Sequence, residues 1–168
     1  MSKEIITGKA KLIRIDDIDT DQIFHQSLLT IHNPEEIKPH IFGNLEGYKD
    51  FGKEDNKDKI LIVGKNFGKG STRQQAVTGF LAHKIKAIIG ESFGPIYYSN
   101  AVNEGLLLIE VPEINSFDVT DEDELEIDIK MSMIRNITRD KQIKCNRIPQ
   151  PVLDIMNAGG LLQLGGKF

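Results

Sequence analysis

The chain has 168 residues, within the roughly 100–200 expected of one domain, and is read as a single domain over 1–168. Its 39% hydrophobic and 27% charged residues are an ordinary globular composition, and a formal net charge of -4 gives no electrostatic reason to expect nucleic acid or an anionic membrane. One cysteine, Cys145, excludes an internal disulfide and any zinc or iron–sulfur site built from this chain's own thiolates.

The opening MSKEIITGKAKLIRI lacks the apolar core of a secretory signal. No run of about 18 apolar residues follows, so a cytoplasmic, membrane-free α/β or α+β domain is expected. Ile5 to Ile15 alternates loosely and predicts a strand bending at Gly8. Asp16-Asp17-Ile18-Asp19-Thr20-Asp21 then reads as an acidic loop. Three acids within it could hold a cation or supply a base, but acidic turns are common. Asn33-Pro34-Glu35-Glu36 predicts a helix start, with a capping Asn, Pro in the first turn and acids at the positive dipole end. That helix should reach about Phe42, and polar Gly43 to Asp58 is expected to be a mobile loop.

Lys59 to Val63 and Ile85 to Ile89 predict buried strands. A helix is expected from Ser71, with Ala76, Val77, Phe80 and Leu81 on one face. A second should run from Phe93 to Asn103 and end at Gly105, before a third strand over Leu106 to Val111. This alternation suggests crossover connections and parallel pairing. Leu125 to Lys130, Met133 to Thr138 and Lys141 to Lys144 look like short antiparallel strands. A terminal helix over Pro149 to Ala158 should stop at Gly159-Gly160.

The segment richest in chemistry is Gly68-Lys69-Gly70-Ser71-Thr72-Arg73, between a buried strand and an amphipathic helix. Its glycines allow a tight turn and close approach to a ligand. The free N–H groups of a helix start attract a carboxylate or phosphate, and Arg73 adds a bidentate grip. Ser71-x-x-Gln74 also reads as a capping box, which requires no function. The best match to a phosphate loop, Gly47 to Glu54, ends in Glu and follows no strand. The spacings of His25, His32, His40 and His83 match no zinc pattern. His83 is expected at a helix end and Cys145 as a structural residue.

Three separated motifs carry a resemblance to a known family. Asp19-Thr20-Asp21-Gln22-Ile23, then Asn66-Phe67-Gly68-x-Gly70-Ser71-Thr72-Arg73, then Ser92-Phe93-Gly94-x-Ile96-Tyr97-Tyr98-x-Asn100-Ala101-x-Asn103-x-Gly105-Leu106 resemble the small subunits of 3-isopropylmalate dehydratases. They are similar to the swivelling C-terminal domain of aconitase. The resemblance runs from about Thr7 to Leu164 and takes in Ala158-Gly159-Gly160-Leu161-Leu162. It implies an α/β fold, a three-layer β/β/α swivelling domain with a mixed sheet. It also implies a separate large subunit carrying a [4Fe-4S] cluster, no cofactor or metal on this chain, and a hydro-lyase acting on a small dicarboxylate in leucine biosynthesis. The enzyme would be active only as a heteromer.

Carried over by resemblance, Ser71 is the general base and Asp21 joins its proton network. Arg73 binds a substrate carboxylate, with Gly70 and Thr72 as further contacts. The family usually has Cys where Lys69 stands, Ser at Thr72, and Glu-His or a similar pair at Gln74-Gln75. In the family the loop after Asp-Thr-Asp helps to select substrate, and here it reads Leu28-Leu29-Thr30-Ile31. Homoaconitase-like members resemble a pattern with Arg in this loop, and this chain has none between Asp21 and Pro34. An apolar wall of Leu28, Leu29 and Ile31 suits an isopropyl group, worth about 2 kcal/mol. That favours isopropylmalate or another alkyl-malate (methylmalate, dimethylmalate) over homoaconitate. A non-catalytic carboxylate-binding module and a nucleotide-binding domain are the competing readings.

Overall fold

Short strands, two of them buried at every position, set the architecture. The computed structural model describes residues 4–165; the first three residues of the segment judged not to be a signal lie outside it. A seven-stranded sheet has the order β4-β3-β2-β1-β5-β6-β7. Its strands are β1 (Ile5–Ile13), β2 (Ile60–Val63), β3 (Ala87–Gly90), β4 (Leu108–Glu110), β5 (Glu124–Asp128), β6 (Met133–Asn136) and β7 (Lys141–Lys144). β1 is the seam: Ala10 to Ile13 pair parallel with β2, and Ile5 to Lys9 pair antiparallel with β5. The pairings β2–β3 and β3–β4 are also parallel, and β5–β6–β7 is an antiparallel meander.

Period-two geometry sends successive side chains to opposite faces. Leu61, Val63, Ile88 and Leu108 join one buried cluster, with Phe42, Phe51, Phe67, Phe80 and Tyr97. Ile60, Ile62, Ala87, Ile89 and Ile109 join another, with Leu125, Ile127 and Ile134 of the antiparallel half. Strands that are not sheet neighbours share this second cluster, so the antiparallel half curls over one face of the parallel half. The helices α1 (Thr20–Ile23), α2 (Pro34–Ile37), α3 (Gln75–Ala82) and α4 (Pro95–Glu104) follow the parallel strands and supply the first cluster. Helix α5 (Gln150–Ala158) presses Val152, Leu153 and Met156 on the second, and α6 (Leu161–Gly165) follows it. The result is the expected α/β fold, three layers in the order β/β/α with a mixed sheet.

Two sequence expectations are corrected. The helix from Asn33 does not reach Phe42: α2 stops at Ile37, and a 3-10 turn over Lys38–His40 carries Pro39, which cannot extend the ladder. Gly43 to Asp58 is no mobile loop. Leu45 and Phe51 are buried, the Phe51 ring meets Phe42 edge to face at 5.0 Å, and Asn56 Nδ2 donates to Phe51 O at 2.8 Å. Few apolar residues in a polar stretch, spaced across turns rather than along an element, gave no periodic signal. His83, as expected, ends α3, but it is buried and pairs through Nε2 with Lys38 O. Among the described residues, no helix is long and apolar enough to cross a membrane.

Candidate active site

Three segments leave the carboxyl ends of β1, β2 and β3 side by side, where open parallel sheets usually place ligands. A parallel bridge joins Asp19 to Lys69 and another joins Phe67 to Phe93. Gly68 N–H donates to Ile18 O at 2.7 Å and Thr20 N–H to Lys69 O at 3.0 Å. The sheet is thereby extended by two-residue contacts into a rim.

Glycines make the rim possible. Gly68 has φ +83, and a Cβ there would lie 2.3 Å from Tyr97 Cγ. Gly70 has φ +104, a backbone state that L side chains rarely adopt. The turn between them delivers Lys69, Gly70, Ser71 and Thr72 to solvent; all four are exposed. Helix α3 then begins at Gln75, not at Ser71, and Gln74 caps it with no side-chain hydrogen bond. The Ser71–Gln74 capping box is absent. Long-range bonds hold the segment instead: Thr20 Oγ1 donates to Ser71 O at 2.9 Å, and Arg73 is anchored across the rim. The capping box forms elsewhere. Asp19 accepts from Gln22 N–H while the Gln22 side chain accepts from Asp19 N–H. The acid read as part of a cation or base cluster is therefore a helix cap, a signal present in Asp19-x-x-Gln22.

Arg73 and Asp21 form the electrostatic centre. Arg73 Nη1 donates to Asp21 Oδ1 at 3.1 Å and to Phe24 O at 2.7 Å. Their side chains are 10% and 38% exposed. Asp21 also accepts from Gln26 N–H at 2.8 Å and from Asn44 Nδ2 at 3.1 Å. The Gln26 N–H, supported by Arg73 and His25, holds the Asp21 carboxyl below its ordinary range against the opposing effect of desolvation. It is a fixed anion that orients Arg73. Among the described residues, Arg73 Nε and Nη2 have no protein acceptor within hydrogen-bond range. One edge of the guanidinium thus has no protein partner among the described residues.

The loop after α1 is placed differently from the apolar wall expected of it. Leu28 and Ile31 turn inward against the first core cluster. Leu29 is 41% exposed, and Thr30 is exposed. His25 caps the following 3-10 turn through Nδ1, and His32 is exposed. Gln75, which carried no assignment in the sequence, bonds to this loop. The Gly47 to Glu54 segment buries Phe51 and Gly52, so it cannot wrap a phosphate.

No group of three or more His, Cys, Asp or Glu able to hold a metal occurs among the described residues. Cys145 is half-buried against the second cluster, and burial raises its thiol pKa. A lone thiol biased towards its neutral form does not fit an iron–sulfur cluster, which takes several thiolates.

The Aconitase C-terminal domain family model matches residues 3–114. A 3-isopropylmalate dehydratase small subunit of Archaeoglobus fulgidus is 38% identical over 148 residues, 88% of this chain and 89% of that protein. The chain belongs to this small-subunit family. The small subunit from Caldicellulosiruptor bescii is 36% identical over 95% of this chain and 93% of its own length. The crystal structure of 3-isopropylmalate dehydratase from Methanocaldococcus jannaschii superposes with a TM-score of 0.86 at 35% identity, covering 97% of this chain and 94% of that one. Membership assigns the β/β/α layers to this family, with the Gly68 to Arg73 rim inside the matched region.

Proposed function

We propose that this chain is the small subunit of a hydro-lyase that isomerises 2-isopropylmalate to 3-isopropylmalate in leucine biosynthesis. Its relatives bear that activity in their names. The observation that carries the reading at the site is the half-used guanidinium of Arg73, fixed by Asp21 two residues from exposed Ser71. In this reading Arg73 takes a substrate carboxylate on its Nε–Nη2 edge. Ser71, as alkoxide, takes the carbon-bound proton and becomes the neutral alcohol; the electron pair left behind forms the C=C bond as the C–O bond breaks and the oxygen departs as hydroxide, and rehydration returns both the proton and the hydroxide. Rehydration in the opposite sense puts the hydroxyl on the neighbouring carbon. Gly70 and Thr72 flank the site and offer further contacts to the substrate. Exposed Lys69 adds positive charge beside it.

A serine alkoxide requires fixed positive charge and dipoles around it. This chain supplies Arg73 and the rim N–H groups. A [4Fe-4S] cluster on a large subunit would supply Lewis-acid assistance to the departing hydroxyl; the lone, half-buried Cys145 thiol of this chain does not fit one. The complex works in the cytoplasm. Exposed Leu29 and the absence of Arg between Asp21 and Pro34 support an alkyl-malate over a tricarboxylate, for which an unpaired third charge would be costly.

Anaerobic reconstitution with a large subunit tests the proposal. The pair interconverts 2- and 3-isopropylmalate, and either chain alone is inactive. Ser71→Ala assembles normally and loses at least about a hundredfold in kcat, the range of a missing general base. Full activity in that variant overturns the base assignment. Turnover of homoaconitate without alkyl-malates overturns the substrate class.

A further inference from the structure

We infer that Gln75 is a positioning residue: it clamps the tip of the 26–31 loop and so fixes which substrate side chain the site accepts. The inference rests on the rim being half of a dehydratase site.

Gln75 is the first residue of α3 and only 6% exposed. Its side-chain nitrogen donates to Leu29 O at 3.1 Å and to Ile31 O at 3.2 Å. An amide nitrogen has two N–H donors, and both are spent on one loop. The loop's internal backbone bonds run from Leu28 N–H to His25 O and from Ile31 N–H to Leu28 O, both 3.0 Å, and from Leu29 N–H to Gln26 O at 3.4 Å. They shape the turn without attaching it to anything else. Attachment comes from Gln26 N–H to Asp21 at one end, from Leu28 and Ile31 packed on the core, and from Gln75 at the tip.

The two clamped carbonyls flank Thr30. Fixing both sets the Leu29–Thr30 and Ile31–His32 peptide planes, which bracket Thr30 and Ile31, and so restricts the directions of Leu29 and Thr30, the two exposed side chains of the tip. Gln75 stands two residues after Arg73, which grips Phe24 O just before the same loop. The carboxylate-binding edge and the loop tip are therefore both referenced to the start of α3. The separation between them acts as a gauge for the substrate's alkyl group. Local sequence offers no sign of this, because the partners lie 44 and 46 residues away.

Gln75→Met keeps an unbranched side chain of similar length and removes both donors. In the reconstituted heteromer, the KM for 2-isopropylmalate should rise about tenfold, the cost of about one net hydrogen bond, while kcat stays within about threefold. The preference for 2-isopropylmalate over 2-methylmalate should fall at least about fivefold, because the shorter alkyl group gains less from the clamped tip. In the isolated chain, amide exchange of residues 28–31 should speed up about tenfold while β2 exchanges as before. Gln75→His restores one donor and recovers part of each effect.

Equal losses of kcat/KM for both malates, or unchanged exchange at 28–31, overturn the inference. If Gln75→Met does not fold, Gln75→Asn, one methylene short of the carbonyls, serves for the same measurements. A wild-type pair inactive on every malate, with 28–31 still loosened in the variant, defeats the activity reading and the gauge but leaves the clamp demonstrated.

Discussion

Replacing Arg73 by Lys separates the two jobs of this residue. Arg73 Nη1 already serves Asp21 Oδ1 and Phe24 O, at 3.1 and 2.7 Å. The substrate carboxylate then has the Nε–Nη2 edge, two parallel donors in a fixed plane. Lysine brings one nitrogen with three protons. If two protons satisfy Asp21 and Phe24, one remains for substrate. At least one charge-assisted hydrogen bond is lost, worth about 1.5–3 kcal/mol. At 1.4 kcal/mol per decade this lowers kcat/KM by roughly 10- to 150-fold. The fold should hardly notice, because the Asp21 partner is 38% exposed and such pairs contribute about 1 kcal/mol or less. Steady-state kinetics of the reconstituted enzyme, with thermal unfolding of the isolated chain, reads both effects. An Arg73→Lys enzyme within threefold of wild type refutes the free-edge argument. So does a loss of activity that simply follows a fall in Tm.

Two further predictions concern the scaffold. Gly68→Ala places a Cβ 2.3 Å from Tyr97 Cγ at φ +83, and Tyr97 cannot retreat because its hydroxyl donates to Ala76 O at 2.7 Å. A loss of about 3 kcal/mol or more, roughly 10 °C in Tm, is expected by calorimetry; a change under about 1 kcal/mol would show that the rim can slide. For Asp123, burial alone would raise the carboxyl pKa, but bonds from Asn136, the Thr120 N–H and Arg139 outweigh it and lower it from 3.8 to about 2. The unfolded chain binds the proton first, so this contribution is present above pH 4 and lost as pH falls towards 2. Urea unfolding between pH 5 and 2 should fall off more steeply for wild type than for Asp123→Asn; parallel curves would contradict the assignment.

Strands were the most legible part of the chain. Ile60 to Val63 and Ala87 to Gly90 are short apolar runs, and β7 matches the expected Lys141 to Lys144. The burial of β2 and β3 is decided by apolar side chains written in consecutive letters. The start of α3 was not legible. Ser71-x-x-Gln74 has the local chemistry of a cap, yet Thr20, Asp21 and Phe24 hold residues 71 and 73 from some fifty positions away. Those bonds, with φ +104 at Gly70, outweigh a cap worth about 1 kcal/mol. The loop after α1 poses the same difficulty. Leu28, Leu29 and Ile31 are alike as letters, and only the turn from His25 to Ile31 decides that the first and last face the core. The Asp19–Gln22 box was legible by the same pattern that misled at Ser71. Which of two equal local signals is realised depends on which segment the sheet leaves free to turn.

The exposure of Ser71 bears on why the activity is divided between chains. An alcohol in water is a very weak base, and catalysis requires its alkoxide to be stabilised by donors that are already oriented and shielded from solvent. Among the described residues, the hydrogen bonding of Ser71 is through its backbone oxygen, from Thr20, and no histidine or carboxylate accepts from its hydroxyl. The rim therefore fixes where the serine is without making it basic. Behind it, Gly68 packed on Tyr97, the Asp19–Lys69 bridge and the Asp21–Arg73 pair hold the backbone to the sheet. In front lies solvent. A partner surface that closes over Lys69 to Thr72 would remove that water, strengthen Arg73 and the backbone dipoles by lowering the local dielectric, and meet a loop already set by Gln75. Under the proposed function, this chain would contribute positioned polar groups, and burial by a second chain would be the step that turns them into a catalyst.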